Sequence, residues 1–79
     1  MRKAKEIVIK TYRENDVLVE TTVQFYYDSW KEKAHHTQEY VNMGWNDSGQ
    51  IRENIGTVAN PVLVWFGSYY KYEVKPKKV

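Results

Sequence analysis

The sequence predicts a small α+β domain, an antiparallel sheet of three to four strands with one amphipathic helix on one face. Three observations lead to this fold class. A β-hairpin pattern occupies residues 5–28, helical spacing follows at about 30–43, and a long aromatic strand fills 62–74. The alternative is an all-β meander or small barrel, in which 37–45 and 50–58 form a second hairpin.

The hairpin is predicted from two strands, 5–13 and 17–28, that are rich in β-branched and aromatic residues. Glu14, Asn15 and Asp16 between them are turn-forming residues. A loop of these three residues places the apolar residues of both strands on one face, since a shift by one residue inverts every side chain. The predicted shared face consists of Ile7, Ile9, Val17, Val19, Val23 and Phe25.

The helix is predicted from its ends and its spacing. Ser29 followed by Glu32 is a capping-box pattern, and Gly44 stands where a helix commonly ends. Between them, residues 30, 34, 37 and 41 fall on one side of a helix. The competing interpretation is a strand from Tyr40 to Trp45.

The segment 46–61 is punctuated by Asn, Asp, Gly and Pro, and we predict that it is mostly loop. In the last strand, alternation separates two sets of side chains. We assign one set to the helix-covered core, namely Val62, Val64, Phe66, Tyr70, Tyr72 and Val74. Leu63, Trp65 and Tyr69 then fall on the opposite face, which so short a chain has no second layer to cover.

Length and composition indicate one domain over residues 1–79. A chain of 79 residues with 42% hydrophobic and 28% charged residues is in the globular range, and its core is thin. Without cysteine, disulfides, thiol chemistry and cysteine-ligated zinc are excluded. The N-terminal apolar run, 7–9, is far too short for a membrane span. We therefore predict a cytoplasmic protein with no membrane contact.

Charge is distributed unevenly along the chain. The formal net charge is +2, but bases are concentrated in 1–5 and 71–79, while 6–70 is acidic. We predict that 1–4 and 75–79 are basic, flexible ends. Such ends favour solubility more often than they act as binding arms.

Candidate catalytic and metal-binding groups are few. His35 and His36 are adjacent and diverge on a helix, and His35 with Glu39 lacks a third ligand, so surface histidines are expected. Asp28 and Ser29 lie near His36, but no motif fixes their geometry, and no Gly-rich phosphate loop is present. The sequence thus predicts no enzyme activity, no metal and no cofactor.

An aromatic face without a covering layer indicates a binding module, and the partner that we predict is a protein. A homo-oligomer contact is another way to cover such a face. An accessory or inhibitor protein, a class that phages and mobile elements encode, fits these features. The predicted binding residues are Trp65, Tyr69, Leu63, Tyr26, Tyr12 and Trp45.

Two further interpretations stay open at this stage. The first is single-stranded nucleic-acid binding through aromatic stacking and the basic termini, against which the acidic body counts. The second is an oligomer whose subunits form aromatic-lined pockets for a nucleotide or another small planar ligand. The sequence names neither the partner nor the oligomeric state.

Overall fold

The computed structural model describes residues 1–77 and consists of one sheet and one helix. In chain order the elements are β1 (Arg2–Tyr12), β2 (Asp16–Tyr27), α1 (Trp30–Asn42), β3 (Asn46–Asp47), β4 (Arg52–Asn54) and β5 (Leu63–Pro76). All strand pairs are antiparallel; the order runs β1-β2-β5, and both β3 and β4 pair with the outer edge of β5. The α+β class is confirmed, with five strands instead of three to four.

The helix lies where the sequence predicts it. The Ser29 hydroxyl accepts a hydrogen bond from the backbone N–H of Glu32 at 3.2 Å, which is the predicted cap. The chain leaves the helix through Gly44, whose φ of +92° is a conformation that favours glycine. Tyr40 is therefore helical and not part of a strand.

The hairpin turn is one residue longer than predicted. Tyr12 pairs with Val17, so four residues, Arg13 to Asp16, lie between the last paired residues of β1 and β2, although Asp16 already pairs with Pro76 of β5. The Arg13 N–H donates to the Asp16 carbonyl at 2.9 Å, and the two side chains form an ion pair. The predicted three-residue loop is wrong because Arg13 belongs to the turn.

This turn inverts the predicted face of β1. Ile7 pairs with Thr22 and Ile9 with Glu20, so both isoleucines point away from the face that carries Val23. The prediction that they share a face with the valines of β2 is therefore wrong. A turn with an even number of residues places even-numbered β1 residues beside odd-numbered β2 residues.

The faces of β5 are also inverted relative to the prediction. Val23 pairs with Tyr69 and Tyr27 with Trp65, which places Trp65 and Tyr69 on the helix-covered side. Phe66 and the tyrosines that follow it in register lie on the opposite side. The pairing passes Gly67 without a bulge. Both faces of β5 are apolar. The face that α1 covers is the one that carries Tyr69, whose hydroxyl has hydrogen-bond partners there.

The core is aromatic and lies under α1. Tyr69 is fully buried, with an exposed fraction of 0%. Its ring stacks on Tyr40 of the helix, with ring centroids 4.7 Å apart. The buried cluster contains Val23, Phe25, Tyr27 and Tyr69, against which Tyr40, Trp45 and Trp65 pack.

The sheet is longer than the helix that covers it. The chain measures 51 × 30 × 18 Å along its principal axes. We call the side that carries α1 the helix face and the other side the open face. The ends predicted to be flexible enter the sheet in part, since Arg2 to Ala4 belong to β1 and Lys75 and Pro76 to β5; residues 78–79 lie outside the described residues. Within 1–77 no helix is long and apolar enough to cross a bilayer.

Candidate binding surface

The six predicted binding residues do not form one surface. Strand alternation puts four of them on the helix face, while Tyr26 lies on the open face and Trp45 follows the helix. Tyr69 is enclosed in the core, so the prediction that it is exposed is wrong. Tyr12 is 69% exposed at the end of the sheet remote from α1. The four helix-face residues are Leu63, Trp65, Tyr69 and Tyr12.

Trp65 is half-buried and has partners on both neighbouring elements. Its ring lies 5.5 Å from the ring of Trp30 at the start of α1. The guanidinium of Arg52 in β4 lies 4.2 Å from the Trp65 ring centre, within the range of a cation–π contact. Trp65 thus joins the helix, β4 and β5, and the prediction that it lies on an uncovered face is wrong.

Trp45 packs in the same manner at the other end of the helix. Its ring lies 5.1 Å from that of Tyr40, and the Lys71 ammonium lies 4.7 Å from the Trp45 ring centre. The ring is half-buried by these contacts. Trp45 therefore holds the chain that leaves α1 against β5.

A buried network of polar side chains lies between α1 and the sheet. The Tyr69 hydroxyl lies 2.9 Å from the Tyr27 hydroxyl and 2.6 Å from Oγ1 of Thr37. The Tyr27 hydroxyl also lies 2.5 Å from Nδ1 of His36. These contacts pair each hydroxyl, which offsets the cost of burying it.

Burial sets the protonation of this network. Burial raises the pKa of Tyr27, and the hydrogen bond with Tyr69 raises it further, so Tyr27 stays neutral. Burial lowers the pKa of His36 below its ordinary value, so its ring is neutral near pH 7. The hydroxyl of Tyr27 can then donate to Nδ1 of His36.

Lys33 is the buried charged residue beside this network. Its ammonium lies 3.5 Å from Oγ1 of Thr37 and 5.6 Å from the Trp30 ring centre. His35, the adjacent helical histidine, points to solvent and lies 2.9 Å from Glu39. No group of three or more potential metal ligands occurs in the described part of the chain.

The open face carries exposed apolar side chains from β1 and β5. Ile9 is 52% exposed, Tyr72 55% and Val74 60%. Around them lie half-buried side chains of the same face. We call this group the apolar band, and it consists of Ile7, Ile9, Leu18, Tyr70, Tyr72 and Val74.

Glu20 lies in the middle of the apolar band. It pairs with Ile9 on one side and with Tyr72 on the other. Among residues 1–77 its carboxylate has no ion-pair or hydrogen-bond partner. The band thus consists of apolar side chains on β1 and β5, with Leu18, Glu20 and Thr22 of β2 between them.

Near the N-terminal end of β1, side chains of the open face are buried. Phe66 is only 2% exposed, and the ring of Tyr26 packs 5.8 Å from its ring. The guanidinium of Arg2 lies 5.2 Å from the Tyr26 ring centre. Phe66 is therefore buried although it lies on the open face, and the apolar band begins beyond it.

Two shallow grooves lie beside these surfaces. One, of about 360 Å³, is on the open-face side near the N-terminus. The other, of about 270 Å³, lies on the helix face beyond α1. The first is lined by Met1, Arg2, Tyr26, Tyr27, Asp28 and Val64, and the second by Lys10, Tyr12, Val17, Val19, Lys75 and Pro76.

No protein-family model matches this chain, and no curated protein or solved structure is significantly similar to it. The residues of the apolar band were not among the predicted binding residues. Their alternation with period two is visible in the sequence. The two faces of β5 were predicted the wrong way round, however, so Tyr72 and Val74 were expected in the core.

Proposed function

We propose that this chain is a non-enzymatic binding module that takes a protein partner on its open face, through the apolar band. The observation that supports this function is the exposure of Ile9 on β1 and of Tyr72 and Val74 on β5, all on one face with no covering element among residues 1–77. Contiguous apolar surface on a small protein commonly marks an interface. Tyrosine is enriched among the residues that dominate binding energy.

The charge of the open face favours a protein over nucleic acid. Glu20 occupies the centre of the band, where a negative charge repels phosphate. The bases of this face, Arg2 and Lys5, lie toward the N-terminal end of β1, and Arg2 already stacks over Tyr26. To bind a nucleic-acid backbone, a protein needs several lysine or arginine side chains beside the aromatic rings.

Glu20 also indicates the chemistry of the partner. A carboxylate surrounded by Ile9 and Tyr72 would be desolvated when a partner covers the band, which is costly unless a base pairs with it. We expect the partner to present one lysine or arginine within an apolar patch. Such a pair adds specificity, because a partner without the base leaves the carboxylate unpaired.

The test uses two exposed tyrosines on opposite faces. A photo-crosslinking amino acid replaces Tyr72 on the open face or, as the matched control, Tyr12 on the helix face. In cells that express each variant, we expect protein adducts at Tyr72 that survive nuclease treatment, and none of the same mass at Tyr12. Adducts that are equal at both positions, or that disappear with nuclease, contradict the proposal.

Substitutions then test the chemistry of the band with the captured partner. Tyr72→Ser is expected to weaken binding by at least about tenfold, as for a residue that dominates an interface. Glu20→Gln should weaken binding and reduce its salt dependence. Tyr12→Ser should leave the affinity unchanged, and an equal loss in all three variants would argue against this surface.

A further inference from the structure

The strand β1 forms one edge of the sheet. It pairs with β2, and within residues 1–77 its other edge has no partner strand. The opposite edge of the sheet, on β5, is paired in part by β3 and β4. An unpaired edge presents a row of backbone N–H and C=O groups to which another strand can add.

The part of β1 that is regular enough for such pairing is well defined. Its register with β2 shifts between Lys3 and Lys5, and from Lys5 the pairing is continuous to Tyr12. A shift of this kind bends the strand and interrupts regular pairing along its edge. An added strand therefore has the segment from Lys5 to Tyr12 available.

A second copy of β1 is self-complementary to this segment. Antiparallel pairing of two identical strands about a two-fold axis places one residue opposite itself. With Val8 at the axis, Glu6 faces Lys10 of the second copy and Lys10 faces its Glu6. In the same register Ile7 faces Ile9 on the open face. Both charge pairs are opposite in sign, and cross-strand pairs of this kind are stabilising.

Other registers lack this match. With Ile7 at the axis, Glu6 faces Val8 and Lys5 faces Ile9, so no charges pair. With Glu6 at the axis, the two glutamates face each other. The register centred on Val8 is thus the one that satisfies charge and apolar pairing together.

We propose that the chain forms a homodimer in which the β1 strands of two copies pair antiparallel about Val8. Lysines on an edge strand discourage pairing with arbitrary strands. A strand that places a glutamate opposite Lys10 can pair with this edge, and a second copy of β1 supplies that glutamate as Glu6. Glu6 already forms an ion pair with Lys3 at 3.2 Å, but both groups are half-exposed, and such a pair contributes little.

The dimer enlarges the open face. Ile7 and Ile9 of each copy meet at the two-fold axis, so the apolar bands of both copies become one surface on a continuous sheet. The binding surface of the proposed function would then be two-fold symmetric. The dimer does not depend on that function, since it is formed by the edge of β1 and not by the band.

Charge exchange provides the test. We expect the unaltered chain of 79 residues to sediment with twice its mass of 9.4 kDa as its concentration rises. Glu6→Lys and Lys10→Glu each place like charges opposite one another twice and should weaken the dimer by at least about tenfold. The double variant, and an equimolar mixture of the two single variants, should recover it, because charges of opposite sign then face each other again.

Matched controls separate this contact from general charge effects. Lys31→Glu and Glu39→Lys make the same charge changes on α1 and should leave the mass unchanged, as should Tyr72→Ser on the open face. Circular dichroism confirms that every variant folds. A monomer mass for the unaltered chain at all concentrations, dimers unaffected by the single variants, or no recovery in the mixture would each overturn the proposal.

Discussion

The Tyr27 hydroxyl lies 2.5 Å from Nδ1 of His36, at the boundary between β2 and α1. Burial lowers the pKa of His36 below the ordinary value of 6.5 for a histidine. In the unfolded chain His36 takes up a proton near that ordinary value, so below it the unfolded state binds more protons than the folded state. The contribution of neutral His36 to the free energy of unfolding is therefore fully present above pH 6.5 and declines as the pH falls below that value.

The first prediction is that the folded state is less stable at acidic pH because of His36. Urea unfolding should give a lower free energy of unfolding at about pH 5 than at about pH 7.5, and His36→Asn should reduce the difference. His35→Asn, which changes the exposed histidine of the same helix, is the control and should retain it. A difference that survives in the His36 variant would assign the pH dependence to other groups.

The Tyr69 hydroxyl contributes to stability through its two buried contacts. Tyr69→Phe keeps the ring and removes the oxygen, leaving Tyr27 and Thr37 each without one partner. We expect a loss of about 1 to 2 kcal/mol in the free energy of unfolding. Tyr72→Phe, which removes an exposed hydroxyl from the same strand, should change it by less than about 0.5 kcal/mol. Equal effects would show that the network adds no stability.

Gly67 is required by the ring of Tyr69. A Cβ at position 67 would lie 2.9 Å from Cζ of Tyr69 and 3.0 Å from Cε2 of Tyr27, both too close. Gly67→Ala should thus cost about 1 to 3 kcal/mol, more than the gain from a stiffer unfolded chain. In a Tyr69→Leu background the same substitution should cost less. Thermal unfolding of all four chains measures this coupling.

The cap of α1 provides a local test of helix stability. Ser29→Ala removes the acceptor for the Glu32 N–H and should lower the free energy of unfolding by about 1 kcal/mol. Ser29→Asn, which retains a capping oxygen, should lose much less. Chemical denaturation compares the two, and a similar loss for both would attribute the effect to another contact of Ser29.

The helix and the existence of the hairpin could be predicted because local chemistry determines them. Ser29, Glu32 and Gly44 mark the ends of α1, and neither end depends on a distant partner. In β2 most of the apolar residues fall on one face, so alternation assigns Val23 and Phe25 to the core correctly. The short strands β3 and β4 have no such pattern, since they depend on the backbone edge that β5 offers.

The faces of β1 and β5 could not be derived in the same way. One residue, Arg13, decides whether β1 presents its isoleucines inward, and turn propensity does not distinguish a three-residue from a four-residue connection. In β5 both alternating sets are apolar, so period two does not choose between them. The choice depends on Thr37 and Tyr40 of α1, which receive Tyr69. The candidate surface was missed for this reason, although its residues are recognisable as apolar.

The central pairing of β2 with β5 has a consequence for how the chain folds. β5 reaches β2 only after α1 and the 46–61 segment have been passed, so this pairing closes a long loop and is slow compared with hairpin formation. Until then the β1-β2 hairpin exposes both edges and its apolar side chains. During synthesis, the order of events leaves this hairpin open to association with other chains before its own last strand arrives.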